Sequence, residues 1–200
     1  GWAAFAFFVL AYVLAVGGLS ASAFHLGHPE RALKAFSQWK TSWLSREAWA
    51  AVTALVLMAI YGAGLVFFGA RWTVFGVLGS VASLAAVFTT SMIYTQLKTV
   101  PRWHMPLTPV LFLALAIAGG ALLAGQAGAG LWLLAGAGAV QLVYWAAGDR
   151  ALPGSGTSLA TATGLGGRGS VRAFEPPHTG SNYLMREMIH VIGRRHSAKL

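Results

Sequence analysis

Long apolar runs separated by short charged segments dominate this sequence. Residues 1–24, 48–70 and 72–97 contain no charged side chain, and residues 105–148 form a longer uncharged block. A membrane-spanning helix needs about 20 consecutive apolar residues, so the longer block is predicted to hold two helices. Its Gly-rich stretch at 125–130 is the expected break, because glycine readily ends a helix. Apolar residues do not alternate with polar ones at period two, which argues against a membrane barrel.

These runs predict an all-α fold, a polytopic transmembrane helix bundle with five spans in this chain. The predicted spans are residues 1–26, 46–69, 72–97, 106–125 and 129–148. The first run is too long for the apolar core of a signal peptide and has no basic start, so it is interpreted as a true span. We divide the chain into a five-helix bundle over 1–148, with a functional loop at 25–47, and a tail over 149–200.

The tail differs from the bundle in composition. Gly, Ser and Thr dominate it as far as Ser170, which predicts a basic loop, and residues 182–197 are predicted to form an amphipathic basic helix. We expect this helix to lie on the membrane surface or to lead into C-terminal spans missing from this chain. Because the chain begins without Met inside an apolar run, we expect it to be a fragment of a longer membrane protein.

Composition and charge favour a lipid bilayer as the solvent. Hydrophobic residues make up 56% of the 200 residues and charged residues only 10%, whereas a soluble domain carries about a quarter charged residues. The net charge of +9 is not interpreted as a nucleic-acid surface, because all but one of the 14 basic residues fall on one predicted membrane face. The positive-inside rule places that face in the cytoplasm, so we expect a multi-pass protein of the bacterial inner membrane.

Redox groups and transport are constrained by residue type and position. The chain has no cysteine to bind an iron–sulfur cluster or attach a haem covalently. Its six histidines all fall at span ends, in loops or in the tail, whereas a transmembrane b-type haem needs axial histidines inside helices. We therefore expect no haem and no iron–sulfur cluster in this chain. None of the five acidic residues falls at mid-membrane, which weakens the alternative of a proton-coupled transporter.

His25 and Glu47 form the candidate chemical pair. His25 closes the first span, with Gly27 as the expected C′ residue, and Glu47 opens the second, with Ser45 as the expected N-cap. Both belong to the basic face, and a short helix within 29–40 could fold back and bring them together. A histidine titrating near neutral pH accepts a proton from a quinol, and an interfacial carboxylate passes a proton to water. The apolar spans would give an isoprenoid tail a path from lipid.

A structural interpretation of the pair stays open. Imidazolium is favoured at a helix C-terminus and a carboxylate in the first turn of a helix, so from the residues alone a role in helix stability is favoured. Tyr94 and Gln96 end the third span on the same face, where they could line a headgroup pocket, although interfacial anchoring is favoured. The basic residues of the loop are interpreted as setting topology or facing a partner: Arg31, Lys34, Lys40 and Arg46.

The sequence resembles the membrane anchor subunits of dimethyl sulfoxide reductase-type molybdoenzymes, the DmsC family. The matching residues are His25-Leu26-Gly27 with Pro29 and Arg31-Ala32, then Leu44-Ser45 with Glu47, and finally Thr99-Val100-Pro101 with Trp103 after Tyr94. His28 departs from the small polar residue expected after the glycine. The resemblance implies further spans before and after the five in this chain.

The resemblance also implies an activity and partners. It implies an anchor that oxidises menaquinol, as a substrate, and passes electrons to an iron–sulfur subunit, which feeds a molybdopterin catalytic subunit. The family's quinol-site His and Glu fall on His25 and Glu47, here assigned the catalytic roles. The implied quinol-binding set is His25, Gly27, Pro29, Arg31, Ser45, Glu47 and Tyr94. The alternatives are a purely structural membrane tether and, less favoured, a small-solute transporter.

Overall fold

Five long apolar helices form the protein in the computed structural model, which describes residues 1–23, 29–156 and 158–171. They are α1 Trp2–Ala23, α2 Trp43–Phe67, α3 Thr73–Thr95, α4 Leu107–Leu123 and α5 Ala127–Gly154. A 3₁₀-helix, Pro29–Phe36, precedes α2, and a short helix α6, Leu159–Thr163, and a 3₁₀ turn, Gly166–Arg168, follow α5. The described residues contain no strand, so the predicted all-α fold is confirmed.

Each predicted span corresponds to one of these helices. Helices α1, α2, α3 and α5 are long and apolar enough to cross a membrane, and α4 is an apolar helix of 17 residues. At 1.5 Å per residue, α4 is about 25 Å long, close to the hydrocarbon thickness of a bilayer. The predicted break between the last two spans is present, and Gly125 within it has a φ of 75°, which favours glycine.

Small residues bring the helices of the bundle into contact. The main interface joins α2 and α3, while α1 packs on α2 and α4 packs on α3. A Cβ atom on Gly79 of α3 would lie 2.7 Å from the sulfur of Met58 on α2, and one on Gly62 would lie 2.9 Å from the ring of Phe8 on α1. Large apolar side chains point outward, as Trp132 does with 83% of its surface exposed. This arrangement is typical of helices solvated by lipid tails.

The largest fully buried side chains are polar. They are Ser45, Ser91 and Thr108, each at most 2% exposed. The hydroxyls of Ser91 and Thr108 donate to backbone carbonyl oxygens at 2.6 and 2.7 Å, and Ser45 accepts the backbone N–H of Gln38 at 3.2 Å. All three lie at the end of the bundle where α2 begins and α3 ends. Polar packing inside the bundle is therefore concentrated at that end, and it is hydrogen-bonded.

The chain divides into two compact units, and the first comprises Gly1–Ala151. The second unit contains α6, whose N-cap Ser158 accepts the backbone N–H of Thr161 at 3.2 Å in a capping box. The sequence predicted a loop as far as Ser170, and that prediction is wrong over α6 because the capping box stabilises a helical turn there. The amphipathic helix predicted at 182–197 lies outside the described residues.

Candidate functional site

The segment 29–42 folds back onto the start of α2. The indole N–H of Trp49 donates to the carbonyl of Phe36 at 3.1 Å, and the two rings meet edge to face with centres 5.3 Å apart. The backbone N–H of Gln38 donates to the buried Ser45 hydroxyl, which adds a contact to the first turn of α2. The short helix expected within 29–40 is therefore present and packs against α2.

Arg46 fastens the same segment from the next position on α2. Its Nε donates to the carbonyl of Trp39 at 3.0 Å, and one terminal nitrogen donates to the carbonyl of Lys40 at 2.7 Å. The guanidinium carbon lies 4.3 Å from the centre of the Trp43 ring, a cation–π distance. The sequence predicted that Arg46 sets topology or faces a partner, whereas the structure gives its guanidinium group backbone acceptors within its own chain.

Glu47 makes its polar contact across the α2–α3 interface. The hydroxyl of Thr90 on α3 donates to Glu47 Oε1 at 2.6 Å. Both side chains are half-buried. Among the side chains that the structure describes, an ion pair joins Arg102 to Asp149. The bond that the structure describes at the Glu47 carboxyl group is donated by a neutral hydroxyl.

Helix α2 begins three residues before the predicted N-terminus of its span. Ser42 is the N-cap residue and Trp43 is the first helical residue, so the prediction that Ser45 is the N-cap is wrong. Ser45 is a buried residue of the first turn. That turn contains no acidic residue, so the expectation that Glu47 lies in it is also wrong. The helix dipole stabilises a carboxylate mainly within the first turn. It therefore stabilises Glu47 less than the sequence predicts.

Tyr94 lies one helical turn beyond Thr90 on α3, so the two residues share a face of that helix. The Tyr94 ring meets Trp103 edge to face at 5.4 Å, packs at 5.6 Å from Phe112, and is 38% exposed. The structure therefore places Tyr94 in an aromatic cluster at the same end of the bundle as Glu47. Thr90, which no sequence signal indicated, lies between them.

The loop between α3 and α4 is tied down beside this cluster. His104 Nδ1 lies 2.6 Å from the carbonyl oxygen of Thr95, the last residue of α3. The carbonyl of Arg102 accepts the phenolic hydroxyl of Tyr144 on α5 at 3.1 Å, and its guanidinium pairs with Asp149. This loop is thus anchored to both α3 and α5.

Two of the cavities along α2 have linings that include residues near Glu47 on that helix. The first has a volume of about 390 Å³ and is lined by Phe36, Trp39, Arg46 and Trp49. The second, of about 180 Å³, lies between α1 and α2, and its lining includes Ala15, Ala54 and Leu55. Ala54 follows Glu47 by two helical turns, about 10 Å along the helix axis. An apolar crevice at the α1–α2 interface thus lies within reach of a ligand whose polar end is at Glu47.

The predicted site residues differ in how far the structure describes them. Ser45 lies in the first turn of α2 and Glu47 just beyond it, and Tyr94 lies at the end of α3. Pro29 and Arg31 belong to the 3₁₀-helix, where the backbone is described. His25 and Gly27 lie outside the described residues, and so does the predicted contact between His25 and Glu47.

Comparison with known proteins gives a family match. The family model for the DMSO reductase anchor subunit (DmsC) matches residues 3–143, a region that includes α1 to α4 and the candidate site. A sulfite dehydrogenase subunit from Allochromatium vinosum is 40% identical over 132 residues, and the match covers 58% of this chain and 40% of that protein. The chain thus spans less than half of that relative's length. No solved structure matches.

Proposed function

Since the chain belongs to the DMSO reductase anchor subunit (DmsC) family, we propose that it binds and oxidises menaquinol at the membrane interface. In this proposal the two electrons pass to an iron–sulfur subunit, which supplies a molybdopterin catalytic subunit. The chain contributes the quinol site, and the partner subunits contribute the redox centres. The observation that carries the proposal is Glu47, a carboxyl group half-buried between α2 and α3 at the end where polar packing is concentrated.

The proposed chemistry separates protons from electrons. A quinol becomes a quinone when it loses two electrons and two protons. The electrons leave for the iron–sulfur subunit, and the two hydroxyl protons must be taken up by groups on the anchor. His25 accepts the hydrogen bond and the proton of one hydroxyl, because imidazole titrates near neutral pH. Glu47 relays protons to water at the interface.

The surroundings of Glu47 fit a ligand with a polar ring and a long apolar tail. Glu47 and Tyr94 lie at one end of the bundle, where a quinol ring would sit at the boundary between lipid and water. The crevice between α1 and α2 has apolar walls, including Ala54 and Leu55, and begins about two turns further into the membrane. An isoprenoid tail in that crevice would leave the ring at the level of the carboxyl group.

Two substitutions test this proposal directly. Glu47→Gln keeps the shape of the side chain but can no longer take up a proton, and His25→Ala removes the imidazole. Each is expected to slow the menadiol-driven reduction of the partner's iron–sulfur clusters at least 100-fold, the lower range for lost acid–base catalysis. The measurement is electron paramagnetic resonance of those clusters in membranes that contain the whole complex. Dye-driven activity of the partner subunits should be unchanged.

His104→Gln is the matched control, because His104 lies at the same end of the bundle but is bonded to the carbonyl of Thr95. In the His104→Gln complex, menadiol should reduce the iron–sulfur clusters at the wild-type rate. Wild-type rates in both Glu47→Gln and His25→Ala would contradict the proposed site. A titration with a quinone analogue separates the proposal from a structural tether, because a tether shows no saturable binding.

Electron flow in the opposite direction is a second candidate. The relative from Allochromatium vinosum is named as part of a sulfite dehydrogenase, and a dehydrogenase removes electrons from its substrate. In a complex of that kind the same site would reduce menaquinone, and Glu47 would deliver protons. The rates of menadione reduction and menadiol oxidation, measured on the same membranes, distinguish the two directions.

A further inference from the structure

Thr90 has two acceptors for one hydrogen atom. Its Oγ1 lies 2.6 Å from Glu47 Oε1 and 2.9 Å from the carbonyl oxygen of Ala86, one turn earlier on α3. A threonine hydroxyl can donate one hydrogen bond and can also accept. At any moment, therefore, only one of these two contacts is a bond that Thr90 donates.

The protonation state of Glu47 decides which bond is donated. An ionised carboxylate only accepts, so Thr90 then donates to Glu47, and a hydrogen bond to a charged acceptor is the stronger of the two. A protonated carboxyl group donates its hydrogen to Thr90 Oγ1, and Thr90 turns its own hydrogen towards Ala86. Both arrangements use the same positions of the oxygen atoms, so neither helix has to move.

We propose that Thr90 is a positioning residue that keeps the Glu47 carboxyl group paired in both of its protonation states. This inference rests on the proposed function, in which Glu47 takes up and releases a proton during each turnover. Because the partner stays bonded throughout, the carboxyl group keeps one orientation at the α2–α3 interface. The proton is thus gained and lost at a fixed place.

Other ionisable groups lie on the segments near this end of the bundle. On the segment 29–42, the adjoining ends of α2 and α3 and the α3–α4 loop they are Glu30, Arg31, Lys34, Lys40, Arg46, Tyr94, Lys98, Arg102 and His104. The three lysines are exposed, and Arg46 is bonded to the carbonyls of Trp39 and Lys40. Among the side chains that the structure describes, an ion pair joins Arg102 to Asp149. A pH effect of changing Thr90 is assigned to its bond with this carboxyl group by comparison with a neighbouring threonine on α3.

The test compares three variants in membranes that contain the whole complex. Thr90→Val keeps the shape of the side chain and removes the donor, whereas Thr90→Ser keeps the hydroxyl. Thr89→Val is the matched control, because the bonds that the structure describes for the Thr89 hydroxyl go to backbone carbonyls of α3 at 2.9 Å. The measurement is the pH dependence of menadiol-driven reduction of the partner's iron–sulfur clusters.

Thr90→Val should move the part of the acidic limb that belongs to Glu47 upward by about one pH unit, since the bond lost by the ionised carboxylate is stronger than the bond lost by the protonated form. The KM for menadiol should change little, because the hydroxyl contacts Glu47 and not the substrate. Thr90→Ser and Thr89→Val should both keep the wild-type limb. If Thr90→Val does not assemble, Thr90→Ala is measured with the same expectation.

The role of Thr90 is overturned if the acidic limb of the pH–rate profile does not move in Thr90→Val. It is also overturned if the limb moves equally in Thr89→Val. The outcome for Glu47→Gln separates this inference from the proposed function. If Glu47→Gln leaves menadiol oxidation unchanged, the proposed function fails. If it abolishes oxidation while Thr90→Val behaves as wild type, only the positioning role of Thr90 is refuted.

Discussion

Replacing Arg46 by Met should release the segment 29–42 from the start of α2. The substitution keeps an unbranched side chain of similar length but removes both donors to the carbonyls of Trp39 and Lys40. It also removes the positive charge that stacks on Trp43. The bond from Trp49 to Phe36 stays, so the segment is expected to open locally while α2 remains helical.

The size of the effect follows from these contacts. Each exposed bond from the guanidinium group contributes about 0.5–1 kcal/mol, the lower part of the range for hydrogen bonds. The cation–π contact adds about 0.5–1 kcal/mol at an exposed position. The sum is about 1.5–3 kcal/mol, and since 1.4 kcal/mol is tenfold in an equilibrium constant, the open population should rise about 10- to 150-fold.

Limited trypsin digestion of the purified protein in detergent measures this population. Cleavage after Lys34 and Lys40 is followed by mass spectrometry, and its rate tracks the open fraction when the segment recloses faster than it is cut. Arg46→Lys should lie between wild type and Arg46→Met, because one ammonium group does not reproduce the two-pronged guanidinium contact. Arg71→Met, at the opposite end of α2 and α3, is the control. Unchanged cleavage in Arg46→Met would refute the role of Arg46.

Three further substitutions test the packing of the bundle and a surface ion pair. Gly64→Ala would place a Cβ atom 2.9 Å from the carbonyl oxygen of Ala70, so thermal denaturation in detergent should show a loss of about 1–3 kcal/mol. Gly17→Ala, with no atom within 4 Å of its added Cβ, should show no such loss. Asp149→Asn breaks an exposed ion pair with Arg102 and should change stability by less than about 1 kcal/mol, so a larger loss would contradict a surface role.

Hydropathy predicts the five helices closely because a bilayer sets both their length and their composition. The predicted start of α2 lies three residues after the observed one because of a charged residue. Arg46 interrupts the apolar run, so the predicted span begins at that residue, whereas in the structure α2 begins at Trp43. The Arg46 charge is tolerated within α2 because the preceding segment supplies two carbonyl acceptors. Apolar counting does not register such acceptors.

The contacts of the candidate site are less predictable than its location. Glu47 was selected because acidic residues are rare in this chain and it falls at a span end. Thr90 was not, since it is one of several hydroxyl residues on α3 and lies 43 positions from its partner. Which of them faces Glu47 depends on the register between α2 and α3, and that register is set by close contacts such as Gly79 with Met58.

Arg46 and Glu47 are consecutive residues, and consecutive side chains of an α-helix point about 100° apart. One therefore reaches the folded-back segment 29–42 and the other reaches α3, from a single rigid turn. A displacement of that segment would therefore act on the same turn that positions the carboxyl group. The fold of the segment 29–42 and the position of the Glu47 carboxyl group thus depend on adjacent side chains of the same turn.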